Sequence, residues 1–201
     1  MYKVKPGNSK YVDVNKDGVY NDADQGIIGC GQPTFNWGWN NTFNYKNFDF
    51  SFFVVGFHGF DIYNATHQMG YNLIKSQQMA GVTPMRELLN RWTPTNTNTD
   101  IPGFVKGGTE NKDFFSTRFV ENGSFIKMKS ITLGYTLPEA TCRSLGINNL
   151  RVYASVQNPF HITKYSGLDP EATMGSPLVQ GVDGGAYPNS RNYLIGLNFS
   201  F

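Results

Sequence analysis

Asn192-Tyr193-Leu194-Ile195-Gly196-Leu197-Asn198-Phe199-Ser200-Phe201, the last ten residues of the chain, alternates with a period of two. Its odd positions are Tyr, Ile, Leu, Phe and Phe, and its even positions are Asn, Leu, Gly, Asn and Ser. Successive side chains of a strand point to opposite faces, so the stretch predicts a strand with one face in an apolar medium. The same pattern recurs upstream. Asn149–Asn158 sets Leu150, Val152, Ala154 and Val156 against Arg151, Tyr153, Ser155 and Gln157. Ser130–Leu137 sets Ile131, Leu133, Tyr135 and Leu137 against Thr132, Gly134 and Thr136. Asn47–Phe57 offers Phe48, Phe50, Phe52 and Val54 opposite Asp49 and Ser51. Thr34–Tyr45 places Phe35, Trp37, Trp39, Phe43 and Tyr45 opposite Asn36, Gly38, Asn40, Thr42 and Asn44.

A soluble β-sandwich also alternates. These segments, however, run about 8–12 residues, the length of a tilted membrane-spanning strand, where sandwich strands average about 5–6. Trp, Tyr and Phe gather towards strand ends, as an aromatic girdle at lipid headgroups would. The connections are unequal too. Two residues join Tyr45 to Phe48 and 138–148 is short, whereas 56–123 and 159–191 are long. Short turns on one side and long loops on the other characterise outer-membrane barrels. The reading is therefore all-β: the last strands of a large antiparallel transmembrane barrel, at about 34–45, 47–57, 124–137, 149–158 and 192–201. Loops at about 10–33, 56–123 and 159–191 are then extracellular, and the short turns periplasmic.

Composition agrees. Of 201 residues, 15% are aromatic and only 16% charged, with 22 glycines; a typical soluble domain carries about 25% charged residues. No apolar run reaches the roughly 18 residues of a transmembrane helix. A net charge of +2 with no basic cluster excludes a nucleic-acid partner. The start, Met1-Tyr2-Lys3-Val4-Lys5-Pro6, has no apolar segment of a secretory signal, so a signal is expected upstream. Cys30 and Cys142 match no metal spacing, and the topology separates them across a membrane, so both are expected as free thiols. Five strands cannot close a barrel of this class, and open edges in lipid leave backbone groups unsatisfied. The chain thus reads as a fragment of a larger barrel.

Three blocks carry a family resemblance. They are Arg118-Phe119-Val120-Glu121-Asn122-Gly123-Ser124-Phe125-Ile126-Lys127-Met128-Lys129 with Ile131–Pro138; Leu150–Tyr153 with Gln157-Asn158-Pro159-Phe160 and Tyr165–Glu171; and Tyr187–Arg191 with Tyr193, Gly196-Leu197 and Phe201. In order and spacing they resemble the last strands of the SusC/RagA family of TonB-dependent outer-membrane transporters. The resemblance implies a barrel of about 22 strands with an N-terminal plug that is absent here. It implies import of large nutrients, oligosaccharides from complex glycans and in some members peptides. It also implies a SusD-like surface lipoprotein as lid, and energy from the TonB complex through an N-terminal segment outside this chain.

Two motifs bear on sites. Asp13-Val14-Asn15-Lys16-Asp17-Gly18, with Asn21 and Asp24, has the spacing of an EF-hand-type calcium loop: oxygens at positions 1, 3, 5, 9 and 12 and glycine at 6. Position 12 is Asp where EF-hands use a bidentate Glu, and an Asx-rich turn has the same composition. Ca2+ at an extracellular loop is thus an expectation, with no cofactor required. The last strand, with Tyr193, Gly196, Leu197, Phe199 and Phe201, looks like the C-terminal signal read by the barrel-assembly machinery; its aromatic end also suits packing at outer-membrane lipid. His58, His67 and His161 read as loop residues. Phe57-His58-Gly59-Phe60 suits either stacking on a sugar or packing within a loop. A helix is expected at about 84–92, and Gly107-Gly108 and Gly184-Gly185 as flexible turns. No nucleophile–base pair or carboxylate pair supports catalysis, and no substrate-binding residue can be named. The competing reading is a secreted calcium-dependent carbohydrate-binding β-module.

Overall fold

The computed structural model describes residues 5–19, 21–71, 84–103, 116–172 and 180–201. Five long strands form one antiparallel sheet: β1 (Phe35–Tyr45), β2 (Phe48–His58), β5 (Phe125–Thr136), β6 (Asn149–Thr163) and β8 (Asn192–Ser200), in the order β1-β2-β5-β6-β8. Three short strands, β3 (Asp61–Asn64), β4 (Val120–Asn122) and β7 (Val182–Asp183), make a second sheet inside the long loops. Here β3 pairs antiparallel with β4 and parallel with β7. Alternation alone did not reveal these strands, because they are too short to show a period.

The register sorts the two faces. Phe43, Phe50, Leu133, Ala154 and Ile195 stand in one row across the sheet, and Tyr45, Phe48, Tyr135, Val152 and Leu197 in the next but one. Between them, on the opposite face, run Asn44, Asp49, Gly134, Tyr153 and Gly196. The apolar face is bare: Ile195 is 85% exposed, and Phe43, Leu133 and Leu197 are all more than half exposed. Such a surface is stable only in an apolar medium.

Two turns close the short-loop end. Lys46 takes φ 51° to reverse the chain between β1 and β2 in two residues. The β5–β6 connection holds a short helix, α2 (Glu139–Ser144), which buries Cys142. Both cysteines are free thiols.

Three elements differ from the sequence reading. Strand β6 runs on to Thr163 past Pro159, because Asn158 (φ 50°) sits at a bulge opposite Lys129 that absorbs the proline. As a result His161 lies in β6; His58 ends β2, and His67 lies in helix α1 (Ala65–Tyr71), so none of the three belongs to irregular loop. The segment around 84–92 forms a 3-10 turn, Arg86–Asn90. Gly184-Gly185 follows β7, with Gly185 at φ 96°, whereas Gly107-Gly108 lies outside the described residues.

The loops fold onto the polar face at the long-loop end. Val55, Phe60, Ile62, Phe125 and Tyr165 form a small core with Phe57 against it. Phe57 and Phe60 thus pack within the protein; Phe57 stacks on Phe125 at 5.1 Å. His58 turns to the other face instead, stacked against Phe35 and Trp37 and accepting the Trp37 Nε1–H at 3.1 Å.

Candidate functional site

The bulge in β5 decides what the polar face carries. Val54 pairs with Met128 and Phe53 with Ser130, so Lys129 is the extra residue. Below it the odd residues Phe125 and Lys127 lie on the polar face; beyond it the even residues Ser130, Thr132 and Gly134 do. The shift keeps Ile126, Met128, Ile131, Leu133 and Tyr135 on the apolar face while placing the two lysines on the polar one.

Lys127 is 2% exposed, a burial that an ammonium tolerates only when fully paired. It donates to Asp169 Oδ2 at 2.9 Å and to Glu171 Oε2 at 2.7 Å, and Lys129 donates to Glu171 Oε1. Asn189 closes the group from the far limb of the same loop. Its N–H and side-chain amide reach Asp169 Oδ2 at 3.1 and 3.2 Å, and the amide also reaches Glu171 at 3.0 Å. Two cations thus face two carboxylates. Burial pushes the Asp169 and Glu171 carboxyls up, but Lys127 together with the Glu171 and Asn189 backbone N–H groups at Asp169, and Lys127 together with Lys129 at Glu171, hold both below the usual carboxylate range.

Nearer the short-turn end, Arg151 makes two hydrogen bonds to Asp49, at 2.9 and 2.5 Å. The pair spans β2 to β6 across β5, and it passes over Gly134, where a Cβ would collide with both groups. Gly196 is roofed in the same way by the Tyr153 ring. Thr132 and Ser155 share a 2.8 Å hydrogen bond in the next polar row.

The loops are tied within themselves, and Ser166 joins one to the other. The Tyr165 hydroxyl donates to Asp183 at 2.5 Å, and burial, then Asp183, pushes its pKa up. Asn64 and Ser166 both bond Glu121, at 2.9 and 2.7 Å. His67 lies between Glu121 and Glu87, at 3.7 and 3.6 Å. Tyr71 donates to Glu87 at 2.9 Å, and burial followed by that carboxylate raises its pKa to about 12.

The calcium-type loop folds as successive Asx turns. Asp13 accepts the Asp17 and Gly18 N–H groups at 3.2 and 2.8 Å, Asn15 accepts Asp17 N–H at 3.0 Å, and Asp17 accepts Val19 N–H at 2.7 Å. Asp24 reaches back to the Asn21 and Val14 N–H groups at 2.9 and 2.8 Å; the Asn21 bond is the main reason its carboxyl sits below the usual range. Among the described residues, no group of three or more His, Cys, Asp or Glu side chains is arranged to hold a metal ion.

Of the residues in the final strand, Tyr193, Leu197 and Phe199 point out on the apolar face, Gly196 lies under Tyr153, and Phe199 meets Phe201 edge-on at 5.4 Å. The sequence reading missed Lys127, Lys129, Asp49, Arg151 and Asn189 as a framework. One signal was there: two lysines two apart in a strand and two carboxylates, Asp169 and Glu171, two apart in a loop.

A sheet with one apolar face, one polar networked face and two unpaired edge strands defines the class: a segment of an antiparallel membrane β-barrel. No protein-family model matches the chain. It is 36% identical over 98% of its length to the TonB-dependent receptor P3 of Formosa agariphila, and 32% identical over 98% to the TonB-dependent receptor SusC of Bacteroides thetaiotaomicron. The RagAB peptide transporter structure superposes with a TM-score of 0.76 over 91% of the chain at 27% identity; the importer in its closed-closed state gives 0.73 over 95%. The chain spans about a fifth of the length of these relatives, 18–20%. It belongs to the SusC/RagA family of TonB-dependent receptors, as part of their barrel.

Proposed function

We propose that this chain forms part of the wall of an outer-membrane importer of large nutrients, with oligosaccharides from complex glycans as cargo. The observation that carries the reading is the two-faced sheet, whose bare apolar rows suit lipid while the opposite face holds ion pairs and hydroxyls suited to an aqueous chamber. On this reading the long-loop end is extracellular and the short-turn end periplasmic. A SusD-like surface lipoprotein covers the mouth, and the TonB complex supplies energy through another region of the parent protein.

Deleting the gene and comparing growth on purified oligosaccharides, peptides and monosaccharides tests the cargo. Selective loss of growth on an oligosaccharide class is expected. Selective loss on peptides would instead favour the second reading, a peptide importer, which the likeness to the RagAB peptide transporter supports. Unchanged growth on both would overturn import.

Two further assignments belong to the same reading. The final strand, with Tyr193, Gly196, Leu197, Phe199 and Phe201, is the segment the barrel-assembly machinery recognises; removing Phe201 should lower the amount of folded parent protein in the outer membrane, and an undiminished amount would refute it. Ca2+ binds the loop at Asp13, Asn15, Asp17, Asn21 and Asp24, an assignment resting on their spacing. Calcium should then protect this segment of the parent protein from proteolysis, and Asp24→Ala should abolish the protection. Equal cleavage with calcium and with chelator would dismiss the site.

A further inference from the structure

Asp169 lies where three separate parts of the chain meet: strand β5 through Lys127, the outgoing limb of the β6–β8 loop, and its returning limb through Asn189. Asp169 is 3% exposed, and Pro170 beside it is fully buried. If this loop swung away from the wall, Lys127 and Lys129 would lose their anions and Asp169 and Glu171 their cations, all at once. The charges balance only in the closed arrangement. The loop is also not separate from its neighbours. Its β7 pairs with β3, and Ser166 holds Glu121 of β4. Asp61 of β3 is tied in turn to the Cys30 backbone, which brings in the segment before β1.

We infer that Lys127 is a positioning residue and that the loops it anchors form one fixed cap, a permanent part of the chamber wall rather than a gate. Any motion that admits cargo therefore belongs to other parts of the mouth. The bulge at Lys129 serves this arrangement. It lets one strand present two lysines to the loop without turning Ile131, Leu133 or Tyr135 away from the apolar face. The inference rests on the import reading only for what the cap encloses.

The test uses the full-length parent protein in lipid vesicles, with Cys30→Ser and Cys142→Ser, and spin labels at Leu168→Cys and Phe43→Cys. Leu168 is an exposed loop residue and Phe43 an exposed wall residue, so labels disturb neither the core nor the ion group. One narrow distance is expected, unchanged when the surface lipoprotein or cargo is added. Lys127→Met should broaden it, and Lys127→Arg should keep it narrow. Should Lys127→Met fail to give a folded barrel, Asp169→Asn, which weakens the hold on the outgoing limb beside Leu168 while leaving Lys127 paired with Glu171, should broaden the distance instead. A broad or two-peaked distribution in the parent, or a narrow one in Lys127→Met, overturns the inference. Because the distances are read without transport, a failure of the import reading would leave this result standing.

Discussion

Replacing Gly134 by alanine should destabilise the barrel even though glycine is normally the weaker residue in a strand. A Cβ at this position enters the space where the Asp49 carboxylate and the Arg151 guanidinium meet. Both are the ends of flexible side chains, so they can swing aside, and backbone distortion is not needed. The penalty is therefore the ion pair itself. Two charge-assisted hydrogen bonds are lost, each worth about 1.5–3 kcal/mol when buried. The side chains are about a quarter exposed, 27% and 24%, and solvent screens them. An overall loss of about 1–3 kcal/mol follows. The assay is urea unfolding of the full-length parent protein, following the folded band that migrates separately on unheated gels. The decisive measurement is the same change in an Asp49→Ala/Arg151→Ala background. There the obstructing groups are gone, so Gly134→Ala should become neutral or slightly stabilising. An equal loss in both backgrounds would refute the argument and move the cost of the alanine to the backbone.

Ile195→Arg, on the apolar face part-way along β8, should cost about 2–4 kcal/mol if that face meets lipid, whereas Asn198→Arg on the opposite face should cost far less; similar losses measured by the same unfolding assay would contradict the assignment of faces. Asn158→Val should destabilise by about 1–2 kcal/mol, since a β-branched residue must then adopt φ 50° at the bulge, while Asn158→Gly should be tolerated. The loop anchor should depend on acid. The folded-state pKa values of Asp169 and Glu171 are lowered, so their stabilisation is present above the unfolded carboxylate range of about 4 and is lost as pH falls through the lowered values. Proteolysis of the β6–β8 loop should therefore rise below about pH 4, and Asp169→Asn should raise it at neutral pH; a rate independent of pH and of the substitution would count against the anchor.

The fold class was legible before any coordinates, because lipid on one side of a wall forces a period of two over long stretches. Five such stretches, from Phe35 to Ser200, can be read without knowing what they touch. The free thiols also followed from topology. The alternation read over 149–158 stopped short, and only the sheet shows that Asn158 and the bulge carry β6 past Pro159 to Thr163. The strands β3, β4 and β7 are two to four residues each and leave no periodic trace.

What the sequence determined alone is the amphipathic wall: which residues face the apolar medium and which do not, a property each strand encodes locally. Only the tertiary structure decided which polar residues meet. Asp49 and Arg151 are 102 positions apart, Lys127 and Asp169 are 42, and Gly134 owes its place to a pair formed by two other strands. Such partners depend on strand order, register and one bulge. A local pattern carries none of these, because they arise only when distant segments pack together.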